Sequence, residues 1–418
     1  MLFEKLPPQR ILLIEPPFYT LFGYKRYHYP VTLVLVGTYL QELGHYVSVY
    51  DADKPASHCR EYSRTETREN YHHYGEAIED KNHSIWNEIR ITIREFMPDI
   101  VGITSITAKI ESADIVAGIA KELFGDNVKV VLGGPHVNGM LDMFNDYNFG
   151  SDYDAVVTYI PGLVNRKPNK RLIMNYNEYS GRNYSSIMTS SGCPNSCTFC
   201  CHSFEKGFVY RDKESIQDEI NEIKEEFGTT DPVYVMDDCF FSNNRHYNET
   251  VSIINEAGLK FTAGARIMAL SERKLEMFQK CRGQRIYLGV ESGSQRVLDL
   301  VKKNLKVEAI IKRTKWLNDM GIPWSAFFIV GFPFETVDDL KMTEELIYTI
   351  RPTFVSLNQL TPYPGTTIYK EYFIGKKLRF RDLFQLADNT CVNLSDEIRY
   401  YIDHMFRAVD IYNRGNIK

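Results

Sequence analysis

The chain has 418 residues, of which 44% are hydrophobic and 25% are charged, and its formal net charge at pH 7 is −5. This length exceeds that of an ordinary single domain, so we expect two or more domains with large buried cores. The small negative charge provides no general basic surface, which argues against nucleic acid or anionic lipid as the main partner.

The N-terminal residues and the apolar segments indicate where the protein is located. Glu4, Lys5 and two prolines precede a first apolar run of four residues, a pattern that does not resemble a signal peptide. The most apolar segment, residues 31–40, is far shorter than the roughly 20 residues that span a bilayer. We therefore expect a cytoplasmic protein without a membrane span.

The first part of the chain, residues 1–160, alternates short apolar runs with amphipathic segments. The runs predict strands at 11–14, 46–50, 100–104, 128–132 and 155–158. Helices are predicted at 31–43, about 85–96 and about 108–124. The polar stretch from Asp51 to about Lys81 is predicted to be an insertion or a long loop. This order of elements predicts the α/β class, with a parallel, doubly wound, Rossmann-like sheet.

Ligands of doubly wound sheets bind in the loops beyond the carboxyl ends of the strands. Those loops read Pro16-Pro17-Phe18-Tyr19, Thr104-Ser105-Ile106-Thr107 and Gly133-Gly134-Pro135-His136. We expect them to form one wall of a pocket. No G-x-G-x-x-G pattern follows the first strand, which disfavours a dinucleotide as the ligand.

A second series of elements covers residues 185–370, after a linker predicted at 161–184. Its strands are predicted at 185–189, 233–236, 260–264, 286–290, 325–330 and 354–360. Six βα units indicate a partial (β/α)6 barrel of the TIM type, whose active site lies at the C-terminal ends of the strands. Residues 371–418 carry apolar side chains at helical spacing and are predicted to form a helical extension.

Four of the eight cysteines fall within nine residues, directly after the first strand of the second series. Such clustering suits a metal site better than a disulfide framework. Cys193, Cys197 and Cys200 form the pattern C-x3-C-x2-C, and three thiolates on one loop can each bind a different iron of a cubane, leaving one iron open. The alternatives are buried inert cysteines or a zinc site with Cys201 or His202 as fourth ligand.

This cysteine motif resembles that of the radical S-adenosylmethionine superfamily. Over residues of about 9–370 the chain is similar to its cobalamin (B12)-dependent members, whose subgroup also matches the segments GFPFET at 331–336 and PYPGT at 362–366. The resemblance implies a [4Fe–4S] cluster on Cys193, Cys197 and Cys200, with S-adenosylmethionine bound at the open iron and cleaved to a 5′-deoxyadenosyl radical. It also implies an electron donor of the flavodoxin or ferredoxin type.

The resemblance further implies contacts to S-adenosylmethionine at the ends of the following barrel strands. Asp237 and Asp238 would bind the methionine amino group. Arg266 would pair with the methionine carboxylate, for which a guanidinium is geometrically suited. Glu291 and Ser292 would hydrogen-bond the ribose. Asp238 as a helix N-cap and Arg266 as a surface charge are the structural alternatives.

The first domain resembles a cobalamin-binding domain, which implies cobalamin as a third cofactor. The residues expected to contact it are Tyr19, Ser105, Thr107, Gly133, Gly134, Pro135 and His136. The glycines let the backbone approach a large ligand, the hydroxyls face its nucleotide tail, and Tyr19 or a neighbour faces the cobalt. The D-x-H-x-x-G motif of other cobalamin proteins is absent, and residues 158–162 replace a Gly-Glu-Gly-Glu segment of relatives. The alternative is a doubly wound domain that binds nothing or another nucleotide.

These expectations favour a cobalamin-dependent radical C-methyltransferase, which transfers a methyl group from methylcobalamin to an unactivated carbon. The substrate would be a residue of a peptide or protein, such as a glutamine of methyl-coenzyme M reductase, or a small molecule. One alternative is a cobalamin-binding cyclase, rearrangement or oxidation enzyme without methyl transfer. Another is a non-catalytic binding protein stabilised by zinc or a cluster.

Overall fold

The computed structural model describes residues 4–26, 28–54, 59, 64–143, 148–158, 160, 162–174, 176, 185–201, 207–228, 231–376, 378–384 and 392–416. The chain divides into two compact units. The first unit comprises Met1–Tyr184 and Tyr363–Ala387, and the second comprises Ser185–Pro362 and Asp388–Lys418. Residues 371–418, which the sequence predicts to be one extension, are thus divided between the two units.

A parallel sheet of five strands organises the described part of the first unit. The strands are β1 (Arg10–Glu15), β2 (Tyr46–Asp51), β3 (Ile100–Thr104), β4 (Lys129–Gly133) and β5 (Ala155–Val157). Their spatial order is β2-β1-β3-β4-β5. Ile11, Leu12 and Ile14 of β1 are fully buried, as expected for a parallel strand covered on both faces. The predicted doubly wound α/β sheet is confirmed.

Helices cover this sheet and bury its apolar faces. They are α1 (Val31–Glu42), α2 (Arg64–Asn70), α3 (His72–Glu79), α4 (Ser84–Phe96), α5 (Ile110–Phe124) and α6 (Pro135–Met143). The apolar residues of α4 recur at helical spacing, so that Trp86, Ile89 and Ile93 share one buried face. They pack with Val116 of α5 against the core residues of the sheet.

A long loop over residues 51–81, one of the two predictions for this segment, is wrong, because α2 and α3 lie within it. The other, an insertion, stays a prediction. Tyr74 of α3 is fully buried. Its ring packs edge-on against Phe18, with centroids 4.9 Å apart, and its hydroxyl donates to the carbonyl oxygen of Ala108 at 3.0 Å. Phe384 packs on the same Phe18 ring at 5.0 Å. Contacts distant in sequence therefore stabilise this polar segment.

Two sheets form the described part of the second unit. The strands are β6 (Ser186–Ile187), β7 (Ser190–Ser191), β8 (Val209–Tyr210), β9 (Val233–Val235), β10 (Phe261–Ala265), β11 (Gly283–Glu291), β12 (Trp324–Val330) and β13 (Phe354–Gln359). Six of these lie in one sheet of order β13-β12-β11-β10-β9-β6, while β7 pairs with β8 in antiparallel register. The six-stranded sheet is parallel throughout, which agrees with the predicted series of six βα units.

Helices follow the parallel strands of the second unit. They are α7 (Lys213–Phe227), α8 (Asn244–Glu256), α9 (Glu272–Lys280), α10 (Gln295–Leu300), α11 (Val307–Asp319) and α12 (Val337–Ile350). Asn243, Ser271 and Thr336 are N-caps whose side chains accept a backbone N–H of the first helical turn. These caps define where each loop from a strand end terminates.

Two further helices come from the C-terminal part of the chain. α13 (Thr367–Tyr372) belongs to the first unit, and α14 (Asp396–Asn416) belongs to the second. The Asn413 amide of α14 accepts from the backbone N–H of Val355 at 2.9 Å and donates to its carbonyl at 2.8 Å. This contact covers the open edge of β13. In the described part of the chain, no helix combines the length and apolarity that a bilayer crossing requires.

Candidate functional site

The three predicted ligand cysteines lie on the loop that follows β7. Cys197 is buried, and Cys193 and Cys200 are half-buried. The N–H of Cys200 donates to the carbonyl of Cys197 at 3.1 Å, and the N–H of Thr198 donates to Val301 O at 3.0 Å. Backbone hydrogen bonds therefore help to hold this loop in place.

A close backbone approach fixes the start of the cysteine loop. Gly192 has a φ of +102°, a conformation that residues with a Cβ rarely adopt. A Cβ at this position would overlap the carbonyl oxygen of Gly207 and lie 3.0 Å from its carbonyl carbon. Only glycine fits here, directly before Cys193.

The spacing of the cysteines bears on the kind of metal site. We compared possible metal ligands whose donor atoms all lie within 4.8 Å of one another. One set of three occurs among the described residues, namely His72, His73 and Glu76, which are exposed on α3. Cys193, Cys197 and Cys200 do not form such a set, so at least two of their sulfurs lie more than 4.8 Å apart. His202, the alternative fourth ligand for zinc, lies outside the described residues.

The two predicted carboxylates after β9 have different environments. Asp237 is buried and accepts from Thr189 N at 2.6 Å, Thr189 Oγ1 at 2.5 Å and Ser190 Oγ at 2.6 Å. Asp238 is exposed and accepts from the N–H of Gly192 at 3.0 Å. Asp237 therefore joins the end of β9 to the strand that leads into the cysteine loop, and Asp238 contacts the loop itself.

Cys239 is a neighbour of the cluster motif that the sequence does not reveal. Its Sγ lies 3.4 Å from Cys193 Sγ, although 46 positions separate the two residues in the chain. The hydrogen bond from Cys239 lowers the pKa of the Cys193 thiol to about 6, helped by the backbone N–H of Asn195 and by Arg266, against the opposing effect of burial. The same hydrogen bond and burial raise the pKa of Cys239.

Arg266 directly follows β10, and its charge acts on the cysteine motif. Its positive charge lowers the pKa values of both Cys193 and Cys197. It is half-buried, and in the ranges described above no carboxylate lies within salt-bridge distance of its guanidinium. Arg266 is thus a cation beside the cluster motif that has no counter-ion among the residues the structure describes.

Glu291 ends β11 and forms an ion pair that the sequence does not reveal. Lys303 Nζ donates to Glu291 Oε1 at 2.6 Å, and both side chains are largely buried. Burial alone would lower the pKa of Lys303, but the Glu291 carboxylate raises it above its ordinary value. Burial raises the pKa of the nearby Cys197 thiol, which Lys303 opposes. The pair therefore belongs to the same site as the cysteines.

Ser292 and Glu335 follow neighbouring strands but are engaged within the protein. The hydroxyl of Ser292 is fully buried, contacts Thr343 Oγ1 at 3.1 Å and accepts from the N–H of Ser294 at 3.1 Å. Glu335 Oε2 accepts the N–H of Gly331 at 2.5 Å. Burial raises the pKa of Glu335 to about 8. Both side chains thus shape loops at the strand ends.

The predicted loops of the first unit surround the point where strand order reverses. The chain passes from β1 outward to β2 and then returns to β3 on the other side, which leaves a crevice at the carboxyl ends of β1 and β3. Tyr19 follows β1, and Ser105 and Thr107 follow β3. Burial raises the pKa of Tyr19, and Lys109 Nζ lies 5.3 Å from the centre of its ring.

The loop after β4 is packed against the loop after β3. A Cβ on Gly134 would lie 2.7 Å from Ser105 O, so Gly134 permits this contact. His136 Nδ1 lies 3.3 Å from Thr107 Oγ1. His136 is buried, which lowers its pKa to about 4, and its Nε2 has no hydrogen-bond partner among the described residues. Pro135 begins α6 and is exposed, and Gly133 ends β4 and is half-buried.

A buried ion network supports the base of this crevice. Lys109 Nζ contacts Asp53 Oδ2 at 2.9 Å and Glu15 Oε1 at 2.5 Å. Asp53 Oδ1 accepts the backbone N–H of Phe18 at 2.8 Å and that of Thr20 at 3.0 Å. The network fixes the backbone on both sides of Tyr19.

Comparisons with known proteins define the class. A model of the radical SAM superfamily matches residues 187–347. The chain is 28% identical over 338 residues to an uncharacterized methyltransferase of Pyrococcus horikoshii, covering 70% of this chain and 73% of that protein. It is 24% identical over 347 residues to the anaerobic magnesium-protoporphyrin IX monomethyl ester cyclase of Rubrivivax gelatinosus, covering 71% of this chain and 62% of that protein.

A solved structure shares the fold. The radical S-adenosylmethionine methyltransferase TsrM from Kitasatospora setae, with cobalamin and a [4Fe–4S] cluster bound, matches with a TM-score of 0.60 at 16% identity. The match covers 86% of this chain and 74% of that one. At this identity the likeness concerns the fold.

The site and these comparisons identify a radical S-adenosylmethionine enzyme. Residues 187–347 carry the domain of this superfamily. Its cofactors therefore include a [4Fe–4S] cluster and S-adenosylmethionine, as the cysteine motif predicts. Its known relatives include a methyltransferase.

Proposed function

We propose that this protein is a cobalamin-dependent C-methyltransferase, which transfers a methyl group from methylcobalamin to an unactivated carbon. One observation carries the proposal. A single chain joins a radical SAM domain to a doubly wound unit. In a crevice loop of that unit, His136 Nε2 has no hydrogen-bond partner among the described residues. The methyltransferase relative supports the reaction, and the shared fold with TsrM supports the presence of both units in one chain.

The cluster and S-adenosylmethionine would be held at the strand ends of the second unit. Cys193, Cys197 and Cys200 would bind three irons of the cluster, which supplies the electron that cleaves S-adenosylmethionine. Arg266 would bind the methionine carboxylate through two of its guanidinium nitrogens, because no protein carboxylate in the described ranges competes for it. Glu291, oriented by Lys303, would accept hydrogen bonds from the ribose.

The roles expected for the remaining residues differ with their partners. Asp238 lies exposed beside the cysteine loop, and we assign it to the methionine amino group. Asp237 and Ser292 are buried and hydrogen-bonded within the protein. We therefore propose that these two position the loops and do not contact the nucleotide.

Cobalamin would bind at the crevice of the first unit and supply the methyl carrier. His136 Nε2 offers one polar atom that lacks a partner in the described residues. Gly133, Gly134 and Pro135 present a loop without bulky side chains before it. Thr107 lies beside His136, and we assign it to the same tail-binding region as Ser105. Tyr19 would face the corrin side.

The proposal includes a protein reductant and a substrate class. A flavodoxin- or ferredoxin-type protein would reduce the cluster. The substrate would be a residue of a peptide or protein, such as a glutamine of methyl-coenzyme M reductase, with a small molecule as the other class. The protein's own task is to orient the reacting groups, because a primary radical reacts with whatever carbon lies nearest.

A cyclase-type oxidation without methyl transfer is a second candidate. The observation that favours it is the match to the magnesium-protoporphyrin IX monomethyl ester cyclase, which covers 71% of this chain. Such a reaction would consume S-adenosylmethionine only through the cluster.

Trideuteromethyl S-adenosylmethionine separates the two candidates. The protein is reconstituted anaerobically with iron, sulfide and cobalamin, and is incubated with a low-potential reductant and with peptide or small-molecule fractions of a cell extract. A methyltransferase forms trideuteromethylcobalamin even without substrate, and substrate then brings S-adenosylhomocysteine and 5′-deoxyadenosine to equal amounts. A cyclase forms 5′-deoxyadenosine without S-adenosylhomocysteine, which would exclude methyl transfer. Cys193→Ala is the control, because it should lose 5′-deoxyadenosine and retain cobalamin binding.

A further inference from the structure

Cys239 occupies a special position beside the cluster motif. Its side chain is buried, and its Sγ lies 3.4 Å from the Sγ of Cys193. That separation is within hydrogen-bonding distance for two sulfur atoms. The remaining buried cysteine of the described residues, Cys281, has no comparable thiol neighbour.

The backbone holds Cys239 in this position through two adjacent residues. Asp237 binds Thr189 and Ser190 on the strand that leads into the cysteine loop. Asp238 accepts the N–H of Gly192, directly before Cys193. Three successive residues thus join the end of β9 to the start of the loop, and the contact between the two sulfurs is the third connection.

The sulfur contact runs from Cys239 as donor to Cys193 as acceptor. Because Cys193 binds iron as a thiolate, only Cys239 has a proton to offer in this contact. The N–H of Ser242 donates to the carbonyl of Cys239 at 3.0 Å, which helps to hold the backbone at Cys239 in place.

We infer that Cys239 is a positioning residue of the cluster, whose thiol donates a hydrogen bond to the Cys193 sulfur while that sulfur binds iron. The inference rests on the cluster alone and holds for either candidate function. Each cubane iron binds one protein sulfur, so the iron bound by Cys193 has no position for a second thiolate. A thiolate there would also repel the one already bound.

Hydrogen bonds to ligating sulfurs raise the reduction potential of an iron–sulfur cluster. The reduced cluster carries more negative charge on its sulfurs, so a donor stabilises it more than the oxidised cluster. The Cys239 thiol would therefore ease the reduction that precedes cleavage of S-adenosylmethionine.

The test measures the potential of the cluster in the full-length protein. Cys239→Ala removes the donor, Cys239→Ser replaces the thiol with a hydroxyl donor, and Cys281→Ala is the matched control at a distant buried thiol. At the midpoint potential of the wild type, Cys239→Ala should show a reduced-to-oxidised ratio about tenfold lower, equal to about 59 mV for one electron. Cys239→Ser should restore at least part of the ratio, and Cys281→Ala should match the wild type. Redox titration followed by electron paramagnetic resonance gives the ratio.

Two results would overturn the inference. An unchanged potential in Cys239→Ala would mean that no hydrogen bond reaches the cluster. Loss of cluster iron in both Cys239 variants, with Cys281→Ala still loaded, would make Cys239 a ligand. The titration uses neither cobalamin nor substrate, so a failure of methyl transfer leaves its outcome unaffected.

Discussion

Replacing Gly192 with alanine tests whether the backbone before Cys193 positions the cluster ligands. The φ of +102° is unfavourable for alanine, and such strain amounts to about 1–3 kcal/mol. The new Cβ would also lie 3.0 Å from the carbonyl carbon of Gly207 and overlap its oxygen. Both partners are backbone atoms, so a change of side-chain rotamer cannot relieve the overlap.

The required displacement is large compared with the tolerance of a metal site. Relieving the overlap moves the backbone at Gly192 or Gly207 by about 1 Å, given the usual separation of non-bonded atoms. Metal–ligand distances are held to about 0.2 Å. Because Cys193 follows directly, we expect Gly192→Ala to retain at most about one tenth of the wild-type cluster, a loss of about 1.4 kcal/mol or more in loading.

Gly258→Ala provides the matched control. Gly258 also has a positive φ, +78°, but nothing lies within 4 Å of a Cβ placed there. Gly258→Ala should therefore lower the thermal stability of the protein through backbone strain and still bind a full cluster. Iron and acid-labile sulfide are measured for both variants after anaerobic reconstitution. Equal contents in the two variants would refute the role assigned to the contact between Gly192 and Gly207.

Three further predictions concern charged groups at the strand ends of the second unit. Asp237→Asn should lower the free energy of unfolding by about 2–4 kcal/mol, because hydrogen bonds to a charged group contribute about 1.5–3 kcal/mol each. Asp238→Asn should leave the thermal melting temperature unchanged. Equal effects of the two substitutions would contradict the difference in burial between the two side chains. Burial raises the pKa of Glu335 from 4.5 to about 8, so the folded state binds this proton more tightly than the unfolded state. The free energy of unfolding should thus fall as the pH rises from about 4.5 to 8, by up to about 1.4 kcal/mol per pH unit. The thermal stability of Glu335→Gln should lack this contribution to the pH dependence. Lys303→Met should leave Glu291 buried without its partner and destabilise the protein by about 3 kcal/mol. A double variant that also carries Glu291→Gln should recover part of this loss of stability, as measured by chemical denaturation.

The strands and the cysteine loop could be predicted because their signals are local. Runs such as Ile11–Ile14 mark buried parallel strands, and the spacing of Cys193, Cys197 and Cys200 places three thiols on one loop. The order of strands and helices then locates the loops at the carboxyl ends. The burial of Asp237 also has a local signal in the sequence, because Asp237 lies on the same strand face as the buried Val233 and Val235.

Contacts between distant residues could not be predicted from these patterns. Helix α3 lies in a polar segment, and the burial of Tyr74 depends on Phe18 and Phe384. Cys239 reaches Cys193 only because β6 and β9 are neighbours in the sheet. Such pairings depend on the sheet topology, and a single sequence carries no periodicity that specifies them.

Quantifying the metal bound by the wild-type protein tests the central claim most directly. After anaerobic reconstitution, the account predicts an iron–sulfur cluster that is lost when Cys193, Cys197 or Cys200 is replaced by alanine, and formation of 5′-deoxyadenosine from S-adenosylmethionine under strong reductant. Bound zinc without labile sulfide, or S-adenosylmethionine left intact by the reduced protein, would contradict the account.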